Sequence, residues 1–480
     1  MRRSSPAGEL AIVLHTHMPY VEGFGTWPFG EEWLWEAIAG SYLPLLDLLD
    51  EGAPLTLSLT PVLCDQLEAP GVGERFEAFV DEVRRGTHAE DIAGLREGGH
   101  DVLARELERS WAEYEHVLAR FRERRGDLLG ALGRHAQWTS SATHAVLPLL
   151  ATDAGVRAQV QIGVDSHRTR FGNGWVGGFW LPECAHVPYL EPLLEEAGVR
   201  TTCVELTNRY GLGAREHLRP LVGESGVVLV PIDRATIARV WSDEGYPAHG
   251  SYRDYHHHTV HHHQPWANDG SAYDHELALG LAREHAREFV VATIERLRVA
   301  NEAAESGDAL PGGGLVVCAL DTELLGHWWY EGVGWLRAVV DECAAQGLSL
   351  VRLDEAAAMR DPAPLDDVEW EASTWGQDGN LSTWSGPPVA DMAFATRAAE
   401  LQTLAAGHDA DAAALRELLA LQSSDWAFMV VRDLAVSYAQ DRFEAHRAGL
   451  ERALTAGPGE STAQLRNLAP QADASVVLGS

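Results

Sequence analysis

Short apolar runs that end on polar side chains constrain the fold of this chain more than any other feature. The run 315–320 ends at Asp321, and the stretch 178–185 carries Glu183 directly after a short apolar run. An apolar run of this length, bounded by turn residues, is typical of a strand buried in a parallel sheet. In barrels of parallel strands, catalytic residues lie where the strands end. Both carboxylates are therefore expected at one mouth, although a surface Glu183 that caps the next helix fits its own stretch equally well.

Similar runs recur along the chain and alternate with helical patterns. Further strands are predicted at 10–14, 55–59, 136–144, 201–205, 227–230 and 348–353. Seven or eight strands that alternate with helices predict an α/β fold built as a (β/α) barrel. Residues 1–365 would form this catalytic barrel.

Two further regions have helical patterns. Within about 70–132, apolar residues recur every three or four positions and Arg and Glu occupy the other face, which predicts a helical insertion packed on the barrel. A second helical pattern predicts a C-terminal helical domain over 366–460. Residues 461–480 are expected to be a loose tail.

Composition excludes several functions. The formal net charge of −34 makes nucleic acid an improbable partner, because phosphate binding needs a basic surface. The chain has no lysine, which excludes Schiff-base chemistry and a P-loop lysine. Five scattered cysteines without CxxC spacing argue against structural zinc and favour a reducing cytoplasm. No signal-peptide pattern and no apolar run of about 20 residues is present, so a membrane partner is not expected.

Histidines at the end of the first predicted strand allow two interpretations. His15 and His17 lie on the same side of a strand because side chains alternate with period two. They could bind a metal together with His144 and Asp321, as in a barrel metal hydrolase, or they could donate hydrogen bonds in a substrate pocket. Amidohydrolase-type sites often add a carboxylated lysine, which this chain lacks. The His-rich tract 256–263 could also bind metal, but it lies in a polar loop that implies no fixed geometry.

Two carboxylates at strand ends, surrounded by Trp and His, suit cleavage of a glycosidic bond. That reaction needs one carboxylate at the anomeric carbon and one proton donor at the leaving oxygen. Aromatic rings could hold the apolar faces of glucose units, and His and Asp could bind hydroxyls. The residues alone therefore favour a glycosidase over a metal hydrolase.

At the level of motifs, the chain resembles glycoside hydrolase family 57, and within it the α-1,4-glucan branching enzymes. The resemblance covers nearly the whole chain, in the family's order. It rests on His15-Thr16-His17-Met18-Pro19-Tyr20, Ala142-Thr143-His144, Trp180-Leu181-Pro182-Glu183-Cys184-Ala185, the stretch from Asp321 through His327 and Trp328 to Trp329, Trp375-Gly376 with Trp384, and Gln422-Ser423-Ser424-Asp425-Trp426.

This resemblance implies an incomplete (β/α)7 barrel with a C-terminal helical domain and a retaining mechanism. Glu183 would be the nucleophile and Asp321 the general acid/base, with their carboxyl groups about 5–5.5 Å apart. The partner would be an α-glucan such as glycogen or amylose, with no metal and no cofactor. Substrate-binding roles are implied for His15, His17, Trp27, His144, Trp180, Arg253, His327, Trp328, Trp375, Trp384, Asp425 and Trp426.

The sequence departs from the family pattern at two places. Leu434 stands where members often have Gln, and His256-His257-His258 stand in a shortened loop where an Arg is common. The catalytic pair is unchanged, so these departures concern specificity. The family also contains 4-α-glucanotransferases and amylases, which remain alternatives, whereas a non-catalytic glucan-binding protein is disfavoured because both carboxylates are present.

Overall fold

The computed structural model describes residues 8–26, 28–302, 310–365, 371–407, 410–456 and 467–473. Within them, ten strands belong to one sheet. They are β1 (Glu9–Thr16), β2 (Thr56–Leu59), β3 (Ala136–Ser140), β4 (Gly178–Trp180), β5 (Thr201–Val204), β6 (Leu221–Val222), β7 (Val228–Pro231), β8 (Leu315–Asp321), β9 (Ser349–Val351) and β10 (Ala363–Pro364). The eight strands predicted from apolar runs are all found, with ends that differ by a few residues.

The sheet curls as an incomplete barrel. Its strand order is β10-β6-β7-β5-β4-β3-β2-β1-β8, with β9 on β1, and every pair except β6–β7 is parallel. The strand path ends at β8, which does not pair with β7 in the described sheet. A backbone hydrogen bond of 2.9 Å from the N–H of Asp233 to the carbonyl of Val317 bridges this gap. The predicted incomplete (β/α)7 architecture is confirmed.

Helices alternate with the strands along the chain and form the helical insertion and the C-terminal domain. They are α1 (Glu31–Ala37), α2 (Leu43–Asp50), α3 (Pro61–Leu67), α4 (Val72–Ala78), α5 (Arg85–Glu97), α6 (Asp101–Glu123), α7 (Leu128–Gly133), α8 (Asp153–Phe171), α9 (Glu191–Glu196), α10 (Thr207–Tyr210), α11 (Arg234–Val240), α12 (His275–Glu302), α13 (Gly332–Gln346), α14 (Leu353–Ala358), α15 (Ser382–Ser385), α16 (Ala390–Ala406), α17 (Ala412–Leu421), α18 (Ser424–Val431) and α19 (Tyr438–Ala456).

The barrel strands are apolar because they are covered on both faces. In β1, the five residues 10–14 are fully buried, and β8 is buried along its length up to Leu320. Burial on both faces replaces the alternation of a half-exposed strand with a continuous apolar run. Asp321, the last residue of β8, is the exposed one. In β8 the change from apolar to polar therefore marks the point where the strand leaves the core.

The helical insertion matches its prediction. Helices α4 to α7 span the predicted region, and α6 packs the buried side chains of Leu107 and Phe121 inward. Trp111 and Tyr114, which share the apolar face of α6, are half-buried against the barrel. No helix in the described ranges is both long and apolar enough to cross a membrane.

The expected loose tail is wrong for residues 467–473. Leu468 and Ala469 are buried in a cluster with Tyr20 and with α17. The side chain of Asp65, on α3, accepts a 2.7 Å hydrogen bond from the backbone N–H of Ala469. This short segment fills the space between α3 and α17, so burial of its apolar side chains holds it in place. The rest of 461–480 lies outside the described residues.

Candidate active site

The candidate site lies at the carboxyl ends of the central parallel strands. His15, near the end of β1, is in register with Ser58 on β2 and with Asp321 on β8. Glu183 follows β4, and His144 follows β3 by a short turn. Parallel strands bring these ends to one edge, so the fold assembles residues that are far apart in the sequence.

Glu183 is held in a strained backbone conformation. Its φ of 61° and ψ of 19° lie in the left-handed region, which costs a non-glycine residue on the order of 1–3 kcal/mol. Its backbone carbonyl accepts a 2.9 Å hydrogen bond from the N–H of Trp375. An antiparallel bridge between His186 and Ser373 continues this pairing. The loop before α15 therefore fixes Glu183 from the C-terminal side of the chain.

Each oxygen of the Glu183 carboxylate accepts one hydrogen bond. The indole Nε1 of Trp375 donates to Oε2 at 2.9 Å, and the Ser424 hydroxyl donates to Oε1 at 2.8 Å. The Glu183 side chain remains 13% exposed, so the carboxylate can still be reached from solvent. Two donors aimed at one carboxylate favour its ionised form.

Opposing effects act on the pKa of Glu183. Burial raises the pKa above the usual value for Glu, while the hydrogen bonds from Trp375 and Ser424 lower it and the charge of Asp425 raises it. The net pKa is raised. The two donors therefore oppose the effect of burial and favour the ionised form that a nucleophile needs.

The pKa of Asp321 is raised further than that of Glu183. Asp321 is exposed at the end of β8, yet many protein atoms surround it, and the resulting desolvation raises its pKa well above the usual value for Asp. The negative charges of Glu323 and Glu183 raise it as well. Neighbouring carboxylates whose environments separate their pKa values are the arrangement that acid–base catalysis needs.

A pair of neutral histidines lies behind Glu183. The Nε2 atoms of His15 and His144 lie 2.9 Å apart, and Nδ1 of His144 lies 2.9 Å from the Ser424 hydroxyl. Burial, and then the charge of His17, lower the pKa of both rings well below the usual value. His144 has a φ of 60°, so a second strained backbone position supports the site.

His17 has a different partner and a different charge preference. Its Nε2 lies 3.0 Å from one carboxylate oxygen of Asp425, and its Nδ1 lies 3.1 Å from the Thr60 hydroxyl. Burial opposes the charged form, but the charge and hydrogen bond of Asp425 outweigh it, so the pKa of His17 is raised. His17 and Asp425 thus form an ion pair between β1 and the C-terminal domain.

A third carboxylate, Glu323, interacts electrostatically with Asp321. It accepts hydrogen bonds from the Tyr42 hydroxyl at 2.6 Å and from the backbone N–H of His17 at 3.1 Å. Burial raises the pKa of Glu323 to about 7. Because a charge on Glu323 raises the pKa of Asp321, this residue helps to keep Asp321 protonated.

The His-rich tract packs on the helical insertion. Nδ1 of His261 lies 2.7 Å from the carboxylate of Asp91, on α5, and Nε2 of His263 lies 3.1 Å from the Thr87 hydroxyl. Across the described ranges, no three His, Cys, Asp or Glu side chains converge in a geometry that could hold a metal ion.

Two family profiles match parts of this chain. The sequence profile described as Glycosyl hydrolase family 57 matches residues 115–365, and the profile described as 1,4-alpha-glucan branching enzyme, C-terminal, matches residues 391–469. The first match covers more than half of the chain.

The chain belongs to glycosyl hydrolase family 57.

Relatives of this family 57 chain cover most of its length. The 1,4-alpha-glucan branching enzyme of Thermococcus kodakarensis is 32% identical over 93% of this chain and 73% of the relative. The crystal structure of the GH57-type branching enzyme from Pyrococcus horikoshii has a TM-score of 0.84 and 30% identity, over 93% of this chain and 90% of that chain. The alpha-amylase AmyC from Thermotoga maritima, with a TM-score of 0.76 and 24% identity over 93% and 92%, shares the fold.

In this family 57 chain, several residues with a predicted binding role surround Glu183 or are open to solvent. His15, His17, His144 and Asp425 lie around Glu183, as described above. Trp328 is 38% exposed, and its ring centroid lies 4.4 Å from that of Tyr255, with His327 next to them. Trp375 reaches Glu183 itself. Trp27 lies outside the described residues.

Three predicted binding residues are buried, which corrects their expected role. Trp384 is 3% exposed and packs on Val146 and Ala185, while Trp426 is fully buried in the C-terminal core. Arg253 is buried against Glu106 and lies over the ring of Tyr330. None of the three offers a face to a sugar, because neighbouring side chains cover them.

Trp180 is also fully buried. Its ring stacks on His15 with a centroid distance of 4.8 Å and contacts Trp375 at 5.0 Å. It therefore supports the rings that border the site instead of meeting substrate directly.

Sequence reasoning missed four polar residues of the site. Ser424 and Glu323 lie inside motifs that carried the family resemblance, so their position was a usable signal. Ser58 lies near the end of the second strand and Thr60 directly follows it, and the rule that strand ends carry function points to them as well. Their roles depend on contacts with distant residues, which no local pattern shows.

Proposed function

We propose that this chain is a 1,4-α-glucan branching enzyme that cleaves α-1,4 links and forms α-1,6 branches by a retaining mechanism. One observation carries the proposal: Glu183 and Asp321 lie at the ends of β4 and β8 with electrostatically coupled carboxyl groups that differ in their protonation preference. Retaining glycosidases use such a pair, one carboxylate as nucleophile and one as acid and base.

Glu183 is the proposed nucleophile. Its two hydrogen bonds favour the ionised form and fix the direction of the carboxylate. In the first step one oxygen of Glu183 attacks the anomeric carbon of the donor glucose, and the bond to the leaving oxygen breaks. The donor chain becomes covalently attached to Glu183. The predicted carboxyl separation of about 5–5.5 Å belongs to this mechanism.

Asp321 is the proposed general acid and base. Because its pKa is raised, Asp321 retains the proton that it donates to the leaving oxygen in the first step. The resulting carboxylate then takes the proton from the 6-hydroxyl of an acceptor glucose. That oxygen attacks the anomeric carbon, releases Glu183 and forms the α-1,6 branch, which returns Asp321 to its protonated state.

The polar and aromatic residues that border the cleft are the proposed glucan-binding surface. Asp425, which forms the ion pair with His17, can accept hydrogen bonds from sugar hydroxyls through its remaining lone pairs. The exposed ring of Trp328 suits the apolar face of a glucose unit. Trp375 and its loop cover Glu183 from the C-terminal side. Exclusion of water there favours transfer over hydrolysis.

A cytoplasmic location is proposed for the reaction. All five cysteines are free and buried in the structure, including Cys184 next to the nucleophile. Free thiols in this number are typical of a reducing compartment.

The decisive experiment uses proton NMR of the purified protein with amylose, together with a reducing-end assay and a parallel sample with EDTA. New α-1,6 signals with few new reducing ends, unchanged by EDTA, would support branching. Rising reducing ends without α-1,6 signals would identify an amylase. Redistributed chain lengths without either change would identify a 4-α-glucanotransferase, and loss of activity with EDTA would favour the metal-hydrolase alternative.

A further inference from the structure

A chain of four hydrogen bonds links the second barrel strand to the nucleophile. The Ser58 hydroxyl lies 3.4 Å from Nδ1 of His15, whose Nε2 contacts His144 at 2.9 Å. His144 contacts the Ser424 hydroxyl at 2.9 Å, and Ser424 contacts Oε1 of Glu183 at 2.8 Å. Ser424 is the first residue of α18, so the last link comes from the C-terminal domain.

The protons in this chain have one consistent arrangement when Glu183 is ionised. A carboxylate only accepts, so the single hydroxyl proton of Ser424 points to Glu183. The Ser424 oxygen must then accept from Nδ1–H of His144. Because both imidazoles are neutral, Nε2 of His144 accepts from Nε2–H of His15, and Nδ1 of His15 accepts from Ser58.

We propose that Ser424 is a positioning residue for the nucleophile, oriented by the His15–His144 pair so that its hydroxyl always donates to Glu183. This inference rests on the proposed function of Glu183. A proton on Nε2 of His144 would require the opposite tautomer of His15 and would turn the Ser424 hydroxyl toward His144, which would leave Oε1 of the ionised Glu183 without its donor, so the Ser424 hydroxyl has one direction. Glu183 is thereby aimed by a fixed donor on Oε1 and by Trp375 on Oε2.

The surroundings of Ser424 explain why one hydroxyl matters. Ser424 is buried, and its backbone N–H donates to the carbonyl of His144 at 3.1 Å, so its side chain has little freedom. Without this hydroxyl, Oε1 would lose its donor in a buried setting. The titratable groups around it are His144, His15, His17, Asp425, Glu183 and Asp321.

The arrangement can be tested without any catalytic assay. Nitrogen-15 NMR of histidine-labelled protein distinguishes the two neutral tautomers, and the variants His144→Asn and His15→Asn assign the signals. We expect His144 as the Nδ1–H tautomer and His15 as the Nε2–H tautomer. A His144 that carries its proton on Nε2 would overturn the inference.

The kinetic test compares Ser424→Ala with Ser424→Thr. Loss of the hydroxyl should lower kcat on amylose about tenfold to a hundredfold, since misplacement of a reacting group has effects of this size, and should leave KM nearly unchanged. The acid limb of the pH profile should move to higher pH, because a donor that favours the ionised Glu183 is gone. Ser424→Thr keeps a hydroxyl and should recover activity and the original limb.

Thr403→Val is the matched control. It removes a buried hydroxyl from the same domain that returns to its own helix, at 2.9 Å from the carbonyl of Ala399, and should leave kcat and the pH profile unchanged. A Ser424→Ala variant with wild-type kcat and acid limb would overturn the inference. A wild-type protein without activity on amylose would contradict the proposed function alone, because the tautomers would still decide the arrangement.

Discussion

The indole of Trp375 donates a 2.9 Å hydrogen bond to Oε2 of Glu183, although the two residues are 192 positions apart in the sequence. A substrate-binding role is implied for Trp375 by the family resemblance, and the structure shows that its indole contacts Glu183, the proposed nucleophile. One side chain therefore couples the loop before the C-terminal domain to the chemistry at the end of β4. The same contact makes Trp375 a test of how Glu183 is held.

Replacement of Trp375 by Phe should reduce kcat without removing the aromatic face. The variant loses the donor to Oε2, so the pKa of Glu183 should rise and the acid limb of the pH profile should move to higher pH. Trp375→Ala should in addition shift products toward hydrolysis, because the cover over Glu183 is lost. Branch signals and reducing ends measured together check both. Trp241→Phe, on an exposed Trp, is the control. An unchanged pH profile and product ratio would remove Trp375 from the site.

Glu183→Gln should abolish transfer and hydrolysis alike. The amide has nearly the shape of the carboxylate but is a far weaker nucleophile, so the covalent intermediate cannot form. Thermal unfolding should show that the fold is intact, and Glu195→Gln, at an exposed position, should keep full activity. Substantial activity in the Glu183 variant would refute its assignment as nucleophile.

Asp321→Asn should separate the two steps. A 4-nitrophenyl maltooligosaccharide has a leaving group that needs little protonation, so Glu183 should still be glycosylated. Without a base for the second step, the intermediate should accumulate and give a burst of nitrophenol. Stopped-flow absorbance measures the burst, and mass spectrometry detects the attached sugar. Steady turnover without a burst would contradict the role of Asp321.

Glu323→Gln should move the alkaline limb of the pH profile to lower pH. Activity needs protonated Asp321, and the charge of Glu323 raises the pKa of Asp321. Glu323 has a pKa of about 7, so it carries this charge on the alkaline side of the profile. Its neutral replacement lets Asp321 lose its proton at a lower pH. Profiles of kcat/KM for both proteins check the shift, and an alkaline limb that stays in place would show that the two groups are not coupled.

Arg253→Leu should destabilise the fold and leave substrate affinity unchanged. Arg253 and Glu106 are both buried, and removal of one partner from a buried pair costs about 3–5 kcal/mol. Urea unfolding measures the loss. Arg298→Leu, at an exposed ion pair on α12, should have a far smaller effect. A large rise in KM with unchanged stability would restore the original expectation that Arg253 binds substrate.

The sequence by itself determined the barrel strands and the position of both carboxylates at their ends. These features are local, because a strand buried on both faces must be apolar and its first polar residue marks the mouth. The family motifs added Ser424, Asp425 and Glu323 as parts of matching stretches, without showing what they contact.

Only the tertiary structure decided which side chains meet. The donors to Glu183 come from Trp375 and from Ser424, which is 241 positions away, and the pairing of His15 with His144 spans 129 positions. Whether a Trp faces the cleft or the core likewise depends on what packs against it, as Trp328 and Trp384 show. A sequence pattern reports the period and apolarity of one segment, whereas hydrogen bonds and burial are set by neighbours from other segments.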